Sequence, residues 1–327
     1  MEAIALRPVD AITVTTLVDN VTDSLLADQG PAVRAAVADA PRVPVRLFLG
    51  GDVDDALRAE HGFAALVTVT DGARDTRVLF DAGRTPDGLV ENMRRLALDP
   101  ADIDVIVLSH GHWDHVTGMD GLVERLGRAN VPVVIHPEFW SRRRIALPGR
   151  EPFELPTASA AAMRGAGFEI VEGRRPSFLL DGALLVTGEV DRRTPFETGF
   201  PGHQAHRAGG WEPDRLILDD QALIALVRGH GLVVLTGCGH AGIVNILRYA
   251  RALTGEDRIH AVVGGFHLSG RAFEPIIAPT CDALAELAPD HLVPAHCTGW
   301  RAQHALAARF PDAFIPSCVG TRFTFAA

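Results

Sequence analysis

Apolar positions fall into two spacings along this chain, and the alternation between them predicts its elements. Short apolar runs of strand length stand at Ile12–Asn20, Phe63–Thr70, Thr76–Gly83, Asp104–His110 and Val131–His136. Between them, Asp87–Leu98 and Asp114–Leu126 place apolar residues three and four apart, the spacing of a helix with one buried face. Gly127 follows the second of these as a helix stop. The second half repeats the rhythm. Strands are expected at Gly231–Cys238, Ile259–His267, His291–Cys297 and Thr321–Phe325, with helices at Gly242–Leu253, Thr280–Ala288 and Arg301–Phe310. Two similar halves of strands and helices predict an α/β architecture with two sheets face to face and helices outside.

Two stretches break the pattern. Residues 21–58 are rich in Ala, Pro and Asp, and residues 141–214 in Arg, Pro and Gly. Both read as long loop insertions, the kind that serve as lids or binding elements. Inside the second, Arg142–Arg144 is either a solvated run or a clamp for an anionic substrate.

Composition narrows the classes. The chain has 327 residues, a formal charge of -10 and no lysine. An acidic balance speaks against nucleic-acid binding. No apolar run is long enough for a membrane span, and the N-terminus lacks a signal-peptide pattern. The four cysteines, Cys238, Cys281, Cys297 and Cys318, are far apart, which fits a reducing, cytoplasmic location better than a disulfide framework.

The chemistry concentrates at His110-Gly111-His112-Trp113-Asp114-His115, directly after an apolar strand. Side chains alternate along a strand, so His110 and His112 share a side, and the turn that follows brings Asp114 and His115. Imidazole and carboxylate are donors that Zn, Fe or Mn accept. Gly239 and Gly242 stand at a strand-to-helix corner whose free N–H groups could hold an oxyanion or phosphate.

The stretch "SHGHWDHVTGM" resembles the metal-binding signature of the metallo-β-lactamase fold superfamily. "LFDAG", with Asp81, resembles its first motif. The segments at Leu17–Asn20, Glu60–Phe63, Asp219–Leu223, Thr236–Asn245, Gly264–Leu268 and Pro294–Gly299 are similar to those of a branch of metal-dependent hydrolases that includes dihydropterin synthases of the methanopterin type. The resemblance covers nearly the whole chain apart from the two insertions. It implies one four-layer αββα sandwich over residues 1–327. It also implies two divalent metals, zinc before iron or manganese, sharing a bridging hydroxide.

Carried over position by position, the resemblance puts His110 and His112 on one metal, and Asp114 and His115 on a second, with His296 as the last ligand. Asp114 would also orient the hydroxide. Asp81 would orient the first metal-bound histidine. For the third ligand of the first metal, Glu189 stands near the matching point but is expected as a substrate contact, and His240 is the preferred substitute. Cys238 is either a ligand or a small buried residue. His267 is a proton donor, a substrate contact or a structural histidine, and His61 a weaker candidate of the same kind. Trp113 lines the pocket or shields the metals. His203 and His206 lie where the second insertion could fold over the metals. The remaining histidines, His136, His230, His260, His291 and His304, read as surface or loop residues.

Three functions compete. One is hydrolysis of a small-molecule ester, lactone, amide or phosphodiester. Another is a synthase or lyase using the same metals on a pterin precursor. The third is a metabolite-binding module without turnover. The expected partner is a small molecule, with no membrane, and a homodimer is compatible with the chain.

Overall fold

A computed structural model describes residues 3–327. Its first main sheet has eight strands in the order Glu169–Glu172, Pro132–Ile135, Val105–Val107, Arg74–Phe80, Ala64–Asp71, Ala11–Val18, Arg322–Ala326 and Ala32–Val33. The second has six, in the order Ser177–Leu179, Leu184–Val186, Ala222–Val227, Gly231–Thr236, Ile259–Gly265 and His291–Ala295. The helices are α1 (Gly88–Arg95), α2 (Met119–Leu126), α3 (Ala160–Gly165), α4 (Ile243–Thr254), α5 (Ile277–Leu287) and α6 (Trp300–Arg309). None is long and apolar enough to cross a membrane.

The central strands read as continuous apolar runs because both of their faces are covered. Val105 and Val107 point between the sheets, while Ile106 points outward to the helices. In the other sheet Val233 and Leu235 point inward, and Leu232 and Val234 outward. Three apolar layers result. One lies between the sheets, one joins the first sheet to α1, α2 and α3, and one joins the second sheet to α4, α5 and α6. This is the expected four-layer αββα sandwich.

The stretch 141–214 is not one loop. Its middle supplies α3 and Glu169–Glu172 to the first half, and Ser177–Leu179 and Leu184–Val186 to the second sheet. Its flanks form a separate four-stranded sheet of Phe153–Glu154, Arg143–Ile145, His203–Arg207 and Gly210–Pro213. These strands run two to five residues, too short to print a period on the sequence. Ala222–Val227, outside the expected strands, pairs along its length with Gly231–Thr236.

The parallel strands decide where the chemistry can sit. Arg74–Phe80 runs parallel to Val105–Val107, and Gly231–Thr236, Ile259–Gly265 and His291–Ala295 run parallel to one another. Ligand sites in such sheets form beyond the carboxyl ends of the strands. Asp81, His110, Cys238, His267 and His296 all lie within three residues of such an end.

Candidate metal centre

Each strand end turns sharply to aim its side chain. Asp81, His267 and His296 have φ of 60°, 45° and 47°, a left-handed backbone that costs a non-glycine residue about 1 kcal/mol or more. Such strain persists where surrounding structure enforces it, and three of the ten non-glycine residues with positive φ stand at the edge of this one cluster.

His110 and His112 are not strand residues, since pairing stops at Val107. Side chains take over from the ladder. Gln221 Nε2 donates to the Leu108 carbonyl at 3.0 Å and Gln221 N to the Ser109 carbonyl at 3.0 Å. Ser109 N donates to Asp81 Oδ1 at 2.7 Å, and Gly111 N to Asp219 Oδ2 at 2.8 Å. The segment Asp219–Leu223 thus holds the histidine segment in place. Gly111 lies against the Phe139 carbonyl oxygen, where a Cβ would collide. Gly111→Ala should therefore cost about 1–3 kcal/mol and displace His112, seen as a lowered urea midpoint together with weakened metal binding.

The expected helix from Asp114 begins late. Trp113–His115 is a 3₁₀ turn, and α2 starts at Met119. The turn keeps Asp114 and His115 facing the histidines, which a continuous α-helix from Asp114 would rotate away. Gly127, at φ 74°, ends α2 as expected.

Two groups of donors converge. One nitrogen from each of His110, His112 and His240 lies within 4.8 Å of the other two, and the same holds for Asp114, His115, Cys238 and His296. Cys238 also groups with His240 and His267, so its sulfur stands between the two sets. Ligand atoms on a tetrahedral ion stand roughly 3.3–3.8 Å apart. His110 Nε2 to His112 Nδ1 is 3.0 Å, His115 Nε2 to Cys238 Sγ 3.2 Å, and His296 Nε2 to Asp114 Oδ2 3.5 Å.

Hydrogen bonds behind the cluster settle which nitrogen each ring presents. His115 Nδ1 donates to Asp81 Oδ2 at 2.7 Å. Asp81 Oδ2 also takes the Ser109 hydroxyl proton at 2.7 Å, so that hydroxyl must accept from His110 Nδ1 at 2.9 Å. His296 Nδ1 donates to Asn20 Oδ1 at 3.2 Å. All three rings are left with Nε2 facing inward as the atom without an outer partner, the arrangement in which such a partner fixes the tautomer of a metal-binding histidine. Asp81 thus serves His115 directly and His110 only through Ser109. The Nε2 atoms of His240 and His296 are buried without a hydrogen-bond partner. Unsatisfied buried nitrogens are costly unless something fills the space between them, and a cation fits that requirement.

The electrostatics favour the same occupant. Burial, reinforced by neighbouring histidines, pushes His110, His112 and His240 well down, so their rings are neutral at pH 7. Burial pulls the Asp114 carboxyl up, but His115 and His296 outweigh it and hold the group well below the usual carboxylate range. Burial also opposes a charged His115, yet Asp81 and Asp114 raise that ring to about 9. A cation arriving at His115 must displace a proton. Burial pushes the Cys238 thiol up.

Other expected residues lie elsewhere or do something else. Glu189 is not brought among the histidines: its Oε1 accepts from Arg174 at 2.8 Å and pairs with His136 at 3.2 Å. His240 instead joins His110 and His112. Trp113 is half-buried, with the Arg84 guanidinium 5.3 Å above its ring. His267 stacks 4.1 Å from the His240 ring and 4.4 Å from Phe273. His61 stacks 4.9 Å from His296. The helix start at Gly239–Gly242 is closed to anions. Asp220 takes Ala241 N, Glu197 takes Val244 N and Asn245 N, and Gly239 takes Gly242 N.

Arg143 is neither solvated nor free to clamp a substrate: it is buried and forks between Asp214 and Asp219. Of the two histidines in the insertion, His203 reaches the cluster, while His206 packs edge-on against Trp211. Asn20, Ser109 and Asp219 lie in segments that carry the resemblance, which gave them no role; here they hold His296, His110 and Gly111. A cleft of about 590 Å³ opens beneath the 21–58 connection, but none of its lining residues belongs to the cluster.

Comparison with known proteins agrees with this geometry. The chain is 28% identical over 245 residues to 7,8-dihydropterin-6-methyl-4-(beta-D-ribofuranosyl)-aminobenzene-5'-phosphate synthase of Methanocaldococcus jannaschii, spanning 73% of this chain and 81% of that protein. It is 31% identical over 238 residues to the uncharacterized protein MJ0448 of the same organism, spanning 69% and 80%. Among solved structures, it shares the fold of Tm1679, a metal-dependent hydrolase of the beta-lactamase superfamily, with a TM-score of 0.69 at 24% identity over 97% of this chain and 100% of that one. The sequence model of the metallo-beta-lactamase superfamily matches residues 57–253, and the chain belongs to that superfamily.

Proposed function

We propose that the protein is a metal-dependent hydrolase of a small-molecule ester, lactone, amide or phosphodiester, working with two divalent cations. The observation that supports this best is the pair of donor sets with inward-facing ligand atoms and two buried nitrogens lacking any hydrogen-bond partner. In this reading His110, His112 and His240 hold one cation, and Asp114, His115 and His296 the other, with Cys238 between them. Zinc suits nitrogen, sulfur and carboxylate donors better than iron or manganese does. Bound there, the cations supply a nucleophilic water near neutral pH and polarise a carbonyl or phosphoryl oxygen.

The chain's own residues do the rest. Asp81, Ser109 and Asn20 keep three rings in one tautomer. Asp114 stays ionised at working pH and holds the proton side of the attacking water. His267, with Nδ1 buried and unpartnered, is placed to hand a proton to the leaving group. Phe200 and Phe273 beside it exclude bulk water. The acidic balance favours a small substrate over a nucleic acid.

The 28% identity to a dihydropterin synthase favours a second reading. In it the same centre acts on a pterin precursor as a synthase or lyase. A panel separates the readings, using metal-loaded protein with a nitrophenyl ester, bis-nitrophenyl phosphate and a lactone. Chelator-sensitive hydrolysis of at least one is expected. Silence on all three alongside turnover of a dihydropterin would favour the synthase. Tight metabolite binding with no turnover at all would leave a binding module and contradict both enzymatic readings.

A further inference from the structure

His203 comes from the inserted four-stranded sheet, yet it is fully buried against the histidine cluster. Its Nε2 lies 2.9 Å from His112 Nε2. Its Nδ1 faces Asp214 Oδ2 at 3.5 Å, an ion-pair distance that is long for a hydrogen bond. Asp214 is itself held by Arg143 Nε at 3.1 Å and Arg207 Nη2 at 3.0 Å. On the other side of its ring, His112 turns Nδ1 toward His110 Nε2.

Two ring nitrogens 2.9 Å apart need a proton or a cation between them, because two lone pairs or two protons would repel, and His203 belongs to neither donor group, so a proton fits here. If His112 Nδ1 is the atom offered to a cation, His112 Nε2 carries the proton and donates it to His203 Nε2. The remaining proton of His203 then sits on Nδ1, facing Asp214. The assignment leaves opposed only the lone pairs of His110 Nε2 and His112 Nδ1, 3.0 Å apart, where a cation would be held.

We propose that His203, backed by Asp214, is a positioning residue of the metal centre that fixes the ring and tautomer of His112 and so keeps Nδ1 available to the cation. The inserted sheet is then part of the centre and not a cover over it. This rests on the metal-centre reading above.

The test measures cobalt(II) affinity by chelator competition and the cobalt absorption bands, with thermal melts as the control for folding. It compares wild type, His203→Ala, His203→Gln and Asp214→Asn. His203→Ala is expected to weaken one of two cobalt ions roughly 10- to 100-fold, the usual cost of losing an outer partner of a ligand, and to leave the other unchanged. Glutamine offers a side-chain carbonyl that can accept the same proton, so His203→Gln should recover most of the loss. Asp214→Asn should fall between. If His203→Ala melts too low to be measured, the glutamine and asparagine variants carry the comparison. The proposal is overturned if no variant alters cobalt affinity. It is also overturned if glutamine fails to rescue and the bands show one nitrogen ligand fewer, since His203 would then be a ligand. A wild-type protein that binds no cobalt would instead overturn the metal-centre reading, and this inference with it.

Discussion

Replacing Asp114 by alanine is expected to leave a folded protein that keeps one cation and loses turnover. The Asp114 backbone would still serve the fold, because its carbonyl accepts from Phe63 N at 3.2 Å. What disappears is the ionised carboxylate 3.5 Å from His296 Nε2 and 3.9 Å from His115 Nε2. Losing an outer partner of a metal ligand costs up to about 100-fold, so losing a donor itself should cost at least roughly that much in affinity at the second group and in kcat/KM. Asp114→Asn, which keeps the shape and removes the charge, should retain little of the lost function. Metal content by mass spectrometry, rates on a responsive substrate and a thermal melt check all parts at once. Wild-type rates in the alanine variant would remove Asp114 from the chemistry.

The second large effect is structural. Arg143→Met should cost about 3–5 kcal/mol of stability, the range for stripping one partner from a buried ion pair. Arg143 is 2% exposed, and its partners Asp219 and Asp214 are 0% and 5% exposed, so methionine leaves Asp219 in the interior without its cation and Asp214 with Arg207 alone. The damage reaches the site, because Asp219 Oδ2 also holds Gly111 N and Asp214 faces His203. Arg143→Lys keeps the charge but loses the planar fork, and should fall between wild type and methionine. Urea unfolding measures the loss. A methionine variant within about 0.5 kcal/mol of wild type, the range of an ordinary surface substitution, would show that the triad does not hold the inserted sheet.

The parts of this site that were legible in the sequence are those written locally. His110, His112, Asp114 and His115 stand within six residues, and the strand before them is a plain apolar run. Asp81, His240 and His296 came from the resemblance, because their partners lie dozens to hundreds of residues away and no periodicity encodes a meeting of strand ends. Asn20 and Ser109 escaped for the same reason: their roles exist only once His296 and Asp81 have been placed. Glu189 stands near the right strand, but its partners are Arg174, met when 174–189 folds back on itself, and His136, at the end of the Pro132–Ile135 strand. The three arginines at 142–144 looked alike in sequence, but burial separates them. Arg142 pairs at the surface with Glu154, Arg143 enters the interior, and Arg144 bonds Gln204. The sandwich itself was readable because its central strands are long and covered on both faces. Three of its four edge strands, Glu169–Glu172, Ala32–Val33 and Ser177–Leu179, run two to four residues and were not.

Anomalous diffraction at the zinc edge, from crystals of zinc-loaded protein, tests the convergence of donors most directly. Two peaks are predicted, one among His110, His112 and His240 and the other among Asp114, His115 and His296. Absence of any peak, or peaks only at sites away from these residues, would contradict it.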